Sequence, residues 1–344
     1  MADKNVNIVI DTIGGDNGPE VMVRGAVKGL EENKNVTLYL TGHKNELEKL
    51  LAGYEYDKNR IKIVDASEEI TCHDAPVEAV KTKKDSSLVK GLNLVKEGTC
   101  DAFISSGSSG AVLAGGQLIV GRAKGVKRTP LAPLIPTSKS PSLLIDCGAN
   151  VDARPEVLVQ FAKMGSIYMQ NVVGVKNPTV AIVNIGTEEE KGNALVKETF
   201  PLLKQCKDIN FIGSIESREI PFGKADVILT EAFVGNVILK LYEGLSKMIL
   251  TEMKGAMMSS FKSKIGALMI KKQLKKTLST FSASNKGGAP LLGLKGLVVK
   301  IHGNSKEGEV ISAIRQCNEF VKNDVSGKII RGLTAEKAEG NPEE

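Results

Sequence analysis

Six glycine-rich turns, each after a short apolar run, carry the residues of this sequence best suited to chemistry. They lie at residues 11–19, 105–111, 146–150, 184–193, 231–237 and 302–305. Glycine lets backbone N–H groups approach an anion closely, and a helix that starts after the turn adds positive potential. A single such turn is as often only a tight connection between a strand and a helix. If the runs are parallel strands of one sheet, however, all the turns meet at one edge, where they predict a phosphate site.

A histidine and a lysine in two of these turns suit acid–base or electrostatic chemistry. His302 ends the apolar run 297–301 and precedes Gly-Asn-Ser, so it is a better candidate than the other two histidines of the chain. A lone histidine is still more often a structural residue. Lys191 follows three consecutive glutamates, residues 188–190. It either binds phosphate as a point charge or forms an ion pair on a solvated loop, and the residues alone leave both interpretations open.

The common cofactor and metal patterns are missing from the sequence. It has no GxxxxGK[ST] loop, no GxGxxG turn with a downstream acid, no HExxH and no cluster of His and Cys. These absences argue against a Walker-type nucleotide hydrolase, a nicotinamide enzyme and a metal held by protein ligands, and we expect no cofactor. The five cysteines are scattered and lack CxxC spacing, which favours reduced thiols in a cytosolic protein.

Apolar runs that alternate with helical patterns must position the turns. Strands are expected at residues 6–11, 36–40, 61–64, 102–105, 131–135, 142–146, 179–184, 210–212, 227–229 and 297–301. Helices are expected from Pro19 onward and at residues 85–96, 156–169 and 193–204. Such alternation predicts an α/β fold with a mostly parallel sheet that helices cover on both faces.

The size of the chain bounds its domain organisation. Its 344 residues suit one large domain or two closely packed ones. We expect a single catalytic domain over residues 1–335 and a polar, frayed tail over residues 336–344. No run of 18 apolar residues and no signal peptide is present, so we expect neither a membrane span nor secretion.

Positive charge is concentrated in one segment. The net charge is +6, yet residues 253–306 hold eleven lysines and no acid, so the rest of the chain is net negative. Such a block implies a local partner, which is anionic lipid, an acidic protein or nucleic acid. Residues 253–286 show an amphipathic helical hairpin pattern, with a break expected at residues 266–270 where the apolar face changes sides. The residues expected to make the contact are Leu268, Met269, Lys271, Lys272, Lys275 and Lys276.

The order of the motifs resembles that of one known family. The segments that carry the resemblance are Ile10-Asp-Thr-Ile-Gly-Gly-Asp-Asn-Gly-Pro-Glu, Ile145-Asp-Cys-Gly-Ala-Asn, Asn184-Ile-Gly-Thr-Glu-Glu-Glu-Lys-Gly-Asn, Phe233-Val-Gly-Asn-Val, Gly287-Gly-Ala-Pro-Leu-Leu-Gly and His302-Gly-Asn-Ser. Over residues 7–327 the chain resembles the phosphate acyltransferases of bacterial phospholipid synthesis, the PlsX family. Asn17, Ser108 and Glu231 depart from the family pattern, which has His, Asn and Asp at these places.

The resemblance implies a fold, a reaction and a set of partners. The implied fold is a three-layer α/β/α Rossmann-like sheet similar to isocitrate and isopropylmalate dehydrogenases and to phosphotransacetylases. The implied reaction transfers a fatty acyl group from acyl carrier protein to inorganic phosphate, giving acyl phosphate for phosphatidic acid synthesis. The implied partners are acyl carrier protein, an anionic membrane surface, a downstream membrane glycerol-3-phosphate acyltransferase and a second copy of the chain, without nucleic acid. The implied location is the cytoplasm, attached peripherally to the inner face of the cell membrane.

The resemblance also implies roles for residues in the matched motifs. The implied phosphate-binding or substrate-binding residues are Asp11, Gly14, Gly15, Asp16, Ser105, Ser106, Gly107, Ser109, Gly110, Asp146 and Asn150. Lys191 and Asn236 are the implied donors to the oxyanion or to phosphate, and His302 is the implied proton donor to the leaving thiolate. Since a thioester is already activated, an acyl-enzyme on Cys147 is a less favoured variant.

Three other functions compete with this hypothesis. A phosphotransacetylase-like transferase that uses coenzyme A thioesters would not need the basic hairpin. A decarboxylating dehydrogenase would need a metal-binding Asp cluster and a nucleotide fingerprint, which are not visible in the sequence. A non-catalytic acyl-carrier or lipid-binding scaffold would leave the glycine-rich turns unexplained.

Overall fold

A computed structural model describes residues 5–280 and 287–339, apart from the side chains of residues 275, 276, 278–280 and 335–339. The strands are β1 Val6–Asp11, β2 Val36–Gly42, β3 Ile61–Asp65, β4 Ala102–Ser105, β5 Leu134–Ile135, β6 Ser142–Ile145, β7 Thr179–Asn184, β8 Asn210–Glu216, β9 Val227–Leu229, β10 Ala289–Leu291 and β11 Leu297–Lys300. They form two sheets, with the orders β10-β11-β4-β1-β2-β3 and β5-β6-β9-β7-β8. The edge strands β10 and β5 are antiparallel to their neighbours, and the remaining pairings are parallel.

The division into two sheets corrects the expectation that all the turns share one edge. The turns after β1, β4 and β11 end the first sheet, whereas those after β6, β7 and β9 end the second. The apolar pattern specifies strands and helices but not their partners. The strand β11 illustrates this, because it returns from the end of the chain to pair with β4.

Helices cover the sheets as the alternating pattern predicts. They are α1 Gly18–Glu32, α2 Lys44–Leu51, α3 Pro76–Thr82, α4 Ser87–Lys96, α5 Ser109–Gly115, α6 Pro155–Tyr168, α7 Ala194–Gln205, α8 Ala232–Met258, α9 Phe261–Thr280, α10 Glu307–Lys322 and α11 Val325–Glu339. Ser86 and Asn193 cap α4 and α7 through their side chains, so these helices begin one or two residues later than predicted. Apolar side chains from both sheets belong to one continuous buried cluster, to which α6 and α10 also contribute.

The basic hairpin differs from its prediction in where it begins and breaks. It consists of α8 and α9, so it starts at residue 232 rather than 253, and its break lies at Ser259–Ser260 rather than at residues 266–270. The Ser260 hydroxyl accepts a hydrogen bond from the Ser263 N–H at 3.1 Å and so caps the start of α9. None of the helices in the described part of the chain is both long and apolar enough to span a bilayer. Residues 281–286 of the predicted hairpin lie outside the described residues.

The C-terminal tail is shorter than expected from its polarity. The helix α11 continues to Glu339, so residues 336–339 have helical backbone. Residues 340–344 lie outside the described part of the chain.

Candidate active site

Asp11, the last residue of β1, anchors the turns at the edge of the first sheet. Its carboxylate accepts hydrogen bonds from the hydroxyls of Ser87 and Ser105 at 2.6 and 2.7 Å and from the Ile13 N–H at 3.2 Å. Burial raises the pKa of Asp11 to about 6, against the lowering effect of these hydrogen bonds. Because Asp11 and Ser105 are register partners in β1 and β4, their hydrogen bond also holds together the two turns that follow.

Two glycine-rich turns, those after β1 and β4, meet next to the Asp11 carboxylate. A Cβ atom on Gly14 would lie 3.2 Å from the Gly107 Cα, and one on Gly15 would lie 2.3 Å from the Ser106 Oγ. Gly14 also has a φ of 91°, which side chains disfavour. We call Gly14, Gly15, Ser106 and Gly107 the glycine cradle. Glycine permits this close approach of the two turns, in which the Gly107 N–H donates to the Ser105 hydroxyl at 3.0 Å. Anion binding by the glycine cradle stays a prediction.

Ser109 and Gly110 follow the glycine cradle in the first turn of α5. A Cβ atom on Gly110 would lie 2.7 Å from the Pro76 Cγ, so this glycine permits the packing of α5 on α3. The phosphate-binding role of both residues stays a prediction.

The turn at residues 302–305 joins the same edge. The Asp16 N–H donates to the Gly303 carbonyl at 2.8 Å, and the Asn17 side-chain amide donates to two further carbonyls of the turn at 2.9 and 3.0 Å. His302 is exposed at the start of this turn. The structure therefore brings the turn that begins at His302 next to Gly15 of the glycine cradle, and the roles of His302 and Asp16 stay predictions.

Lys300, the last residue of β11, belongs to this group of residues and was missed from sequence. Its ammonium donates to the Ser106 carbonyl at 3.3 Å and also to the Ile301 carbonyl. Burial lowers the pKa of Lys300 to about 8, against the raising effect of the negative charges of Asp11 and Asp16. The signal that points to it is a lysine at the end of an otherwise apolar strand.

Asp146 shapes the corresponding turn of the second sheet. Its carboxylate accepts hydrogen bonds from the N–H groups of Leu131, Gly148, Ala149 and Asn150 and from the Asn150 side-chain amide, at 2.8–3.2 Å. Burial raises the pKa of this carboxyl group. Because these partners occupy the carboxylate, the geometry favours a positioning role for Asp146. Direct phosphate binding by Asp146 and Asn150 stays a prediction.

The first turn of α8 rests on the Asp146 turn. A Cβ atom on Gly235 would lie 1.9 Å from the Asp146 carbonyl oxygen, so no larger residue fits there. The Glu231 carboxylate caps the helix by accepting the Val234 N–H at 3.0 Å. Asn236 follows Gly235 directly and is exposed, so its amide is accessible.

Lys191 lies in the loop after β7 with about half of its side chain exposed. Its ammonium forms a 2.8 Å ion pair with Glu188, which raises the pKa of Lys191. The Asn184 amide donates to the Lys191 carbonyl at 3.0 Å and holds the loop. The ion pair of the structural interpretation is thus present, while the role in phosphate or oxyanion binding stays a prediction.

Lys240 of α8 connects the two groups of turns. After burial, which dominates both shifts, its positive charge acts on the pKa of Lys300 at the first sheet and on that of Cys147 at the second. Burial nevertheless raises the pKa of the Cys147 thiol well above its ordinary value, and its Sγ donates to the Leu131 carbonyl at 3.2 Å. A thiol in this state is a poor nucleophile, which argues against an acyl-enzyme on Cys147.

The predicted contact residues of the hairpin are exposed where they are described. Leu268 and Met269 are 70% and 77% exposed, and Lys271 and Lys272 are exposed beside them. The side chains of Lys275 and Lys276 lie outside the described residues.

Comparison of the sequence with known protein families and relatives shows the family of the chain. A family model described as "Fatty acid synthesis protein" matches residues 6–328. The chain belongs to this family. A relative named phosphate acyltransferase from Clostridium perfringens (strain SM101 / Type A) is 48% identical over 329 residues, which cover 96% of this chain and 97% of the relative. A second relative of the same name, from Clostridium botulinum (strain Alaska E43 / Type E3), is 48% identical over 325 residues, which cover 94% and 98%.

Solved structures with a similar fold include a phosphotransacetylase and a phosphotransacylase. EutD phosphotransacetylase from Staphylococcus aureus has a TM-score of 0.61 at 17% identity, with 92% of this chain and 94% of that chain covered. A branched-chain phosphotransacylase from Enterococcus faecalis V583 has a TM-score of 0.54 at 15% identity, with 92% and 99% covered. At these identities the likeness concerns the fold alone, and it confirms the predicted α/β class.

Proposed function

We propose that this protein transfers a fatty acyl group from acyl carrier protein to inorganic phosphate and releases acyl phosphate. The observation that carries the proposal is the glycine cradle at the carboxyl edge of a parallel sheet, a place where such folds bind phosphate. Family membership supports the reaction, because relatives that are 48% identical over nearly the whole chain are named phosphate acyltransferase.

In the proposed reaction, a phosphate oxygen attacks the carbonyl carbon of the thioester. A C–O bond forms, and the carbonyl electrons move onto oxygen to give a tetrahedral oxyanion. When the carbonyl re-forms, the C–S bond breaks and its electron pair leaves with the thiolate. The glycine cradle orients phosphate for the attack, which replaces a bimolecular encounter by a reaction between positioned groups. No enzyme nucleophile is needed, in keeping with the buried Cys147 thiol.

Asn236 and Lys191 are the proposed donors to the oxyanion or to the phosphate. A single preorganised donor of this kind contributes about 3–4 kcal/mol to the stabilisation of the transition state. The close contact of Gly235 with the Asp146 turn supports this role for Asn236, since it fixes the start of α8. His302 is the proposed proton donor to the thiolate, because its turn is hydrogen-bonded to the Asp16 turn.

The proposed acyl donor is acyl carrier protein rather than coenzyme A. The support is the hairpin formed by α8 and α9, which combines exposed apolar side chains with a lysine-rich segment that has no acid between residues 253 and 306. Such a surface suits an acidic protein or anionic lipid. We further propose peripheral attachment to the inner face of the membrane, where a glycerol-3-phosphate acyltransferase consumes the product. The exposed apolar row of Val237, Leu241 and Leu245 on α8 supports a homodimer.

The test is an assay of thioester consumption and acyl phosphate formation. Purified protein is incubated with long-chain acyl carrier protein and phosphate, with the matching acyl coenzyme A as the second donor and sulfate in place of phosphate as control. We expect equal amounts of released thiol and acyl phosphate, and a higher kcat/KM with the carrier protein. Thioester loss that does not require phosphate contradicts the proposal. A preference for coenzyme A favours the phosphotransacetylase-like alternative.

Substitution of the proposed donors tests their roles. Lys191→Ala and Asn236→Ala should each lower kcat about 100- to 1,000-fold, as the loss of one oxyanion donor does. Lys197→Ala removes an exposed lysine of α7 in the same region of the sequence and should leave kcat unchanged. Wild-type turnover in both donor variants would show that the assignment is wrong.

A further inference from the structure

The Lys300 ammonium group lies next to Ser106 of the glycine cradle. It is the last residue of β11 and the register partner of Ser105, so its backbone is fixed at the carboxyl edge of the first sheet. Its partly buried side chain donates to the Ser106 carbonyl at 3.3 Å and to the Ile301 carbonyl. An ammonium group has three N–H donors. Two are used within the described part of the chain, which leaves one for a ligand.

The charges around Lys300 create a need for a cation at this place. Asp11 of β1 and Asp16 of the following turn both act on Lys300 through their negative charges. A phosphate bound in the glycine cradle adds further negative charge beside these two carboxylates. Without a nearby cation, the repulsion between like charges in a partly buried site would oppose phosphate binding.

We propose that Lys300 is a phosphate-binding residue, whose ammonium group contacts the acceptor phosphate in the glycine cradle. This inference rests on the proposed function, since it assigns a ligand to the same site. The hydrogen bond to the Ser106 carbonyl places the ammonium on the cradle itself. The second cation near Lys300, Lys240 of α8, is exposed and its ammonium is paired with the Glu243 carboxylate at 2.8 Å.

The lowered pKa of Lys300 predicts that phosphate affinity depends on pH. The charged groups that face it are Asp11, Asp16 and Lys240, while its strand neighbours Ser105 and Ala289 carry no charge. Its pKa is lowered to about 8 by burial, so the ammonium loses its proton as pH rises through this value. Phosphate affinity should therefore fall above about pH 8. Arginine stays charged over this range, so Lys300→Arg should abolish the alkaline loss.

The test compares Lys300→Met, Lys300→Arg and the control Lys295→Met, which changes an exposed lysine in the loop before β11. We expect Lys300→Met to raise KM for phosphate at least tenfold while KM for the acyl donor stays within twofold. Lys300→Arg should recover part of the affinity and keep it above pH 8, and Lys295→Met should match the wild type. An unchanged KM for phosphate in Lys300→Met overturns the proposal. So does an equal rise in both KM values, which is the result expected if Lys300 only balances the charge of Asp11.

A binding measurement separates this inference from the proposed reaction. The rise in Tm produced by inorganic phosphate should be present in the wild type below pH 8, reduced above it, and absent in Lys300→Met. If the wild type shows this pH-dependent rise but forms no acyl phosphate, the proposed function fails and the Lys300 site stands. If Lys300→Met does not fold, the comparison of the wild type with Lys300→Arg across pH 8 decides, and identical profiles overturn the proposal.

Discussion

The edge of the first sheet and the α8–α9 hairpin are built in opposite ways. At the edge, the Asp11 carboxylate is buried and its hydrogen-bond partners come from three separate segments of the chain. On the hairpin, Phe261, Leu268 and Met269 are 79%, 70% and 77% exposed. A buried polar network whose groups are hydrogen-bonded to one another keeps its geometry without a partner molecule. A concentrated apolar surface instead indicates a partner that covers it. The first region is therefore suited to orient reactants, and the second to bind a surface.

Adding a side chain at the close contact at the start of α8 should have the largest effect on stability and turnover. Gly235→Ala forces a Cβ atom against the Asp146 carbonyl, so we expect a loss of about 3 kcal/mol in the free energy of unfolding. Displacement of Asn236 should lower kcat about 100-fold. Gly244→Ala changes a glycine of the same helix that has no atom within 4 Å of its Cβ position. It should raise stability by about 0.5–1 kcal/mol. Denaturant unfolding and turnover measure both, and a tolerated Gly235→Ala would contradict the packing.

The buried Asp11 carboxyl should make stability depend on pH. Its folded-state pKa of about 6 exceeds its ordinary value of 3.8, so the protonated form stabilises the fold at low pH. This contribution is lost as pH rises, and the difference between wild type and Asp11→Asn should change by about 2 kcal/mol between pH 4 and pH 6. Denaturant unfolding over this range measures it. Asp152→Asn is the control, because it removes an exposed carboxylate. If the difference in free energy of unfolding between wild type and Asp11→Asn does not change with pH, burial does not raise the pKa of Asp11.

A negative charge introduced on the hairpin should weaken membrane binding without changing the catalysed reaction. Leu268→Glu places a carboxylate on an apolar, lysine-rich surface, so binding to phosphatidylglycerol vesicles should fall about tenfold or more. Turnover with an acyl coenzyme A donor, which does not need the hairpin, should stay close to that of the wild type. Leu202→Glu makes the same change on α7, where Leu202 is 40% exposed, and should not affect flotation. Flotation that survives in Leu268→Glu would exclude the proposed membrane role of the hairpin.

The cap between α8 and α9 should give the smallest effect. Ser260→Ala removes the acceptor of the Ser263 N–H and should cost about 1 kcal/mol of local stability. The first amides of α9 should then exchange with solvent about fivefold faster. Ser259→Ala removes a hydroxyl that donates to the Ala256 carbonyl instead, so it should leave α9 amides nearly unchanged. Equal exchange in both variants would contradict the assignment of the cap.

The sequence predicted most of the parallel strands because buried parallel strands need continuous apolar runs. It missed the antiparallel edge strand β10 and placed the start of β5 at residue 131 instead of Leu134. The run at residues 6–11 became β1 without change, and Gly14 and Gly15 lie where their spacing after it suggested. It could not predict two sheets, since strand pairing depends on contacts between distant segments such as β4 and β11. The predicted break at residues 266–270 was wrong because it required each helix to hide one apolar face. The helix α9 instead exposes Phe261 and Ile270 alike.

The length of α8 has a geometric consequence. This helix starts at the Asn236 turn and continues for 27 residues to the hairpin break. At 1.5 Å per residue it is a rod about 40 Å long. A surface that binds the far end of the hairpin would therefore hold the reacting carbonyl tens of ångströms away. An acyl chain still attached to its carrier would have to reach inward over that distance, and the product would have to travel the same distance back.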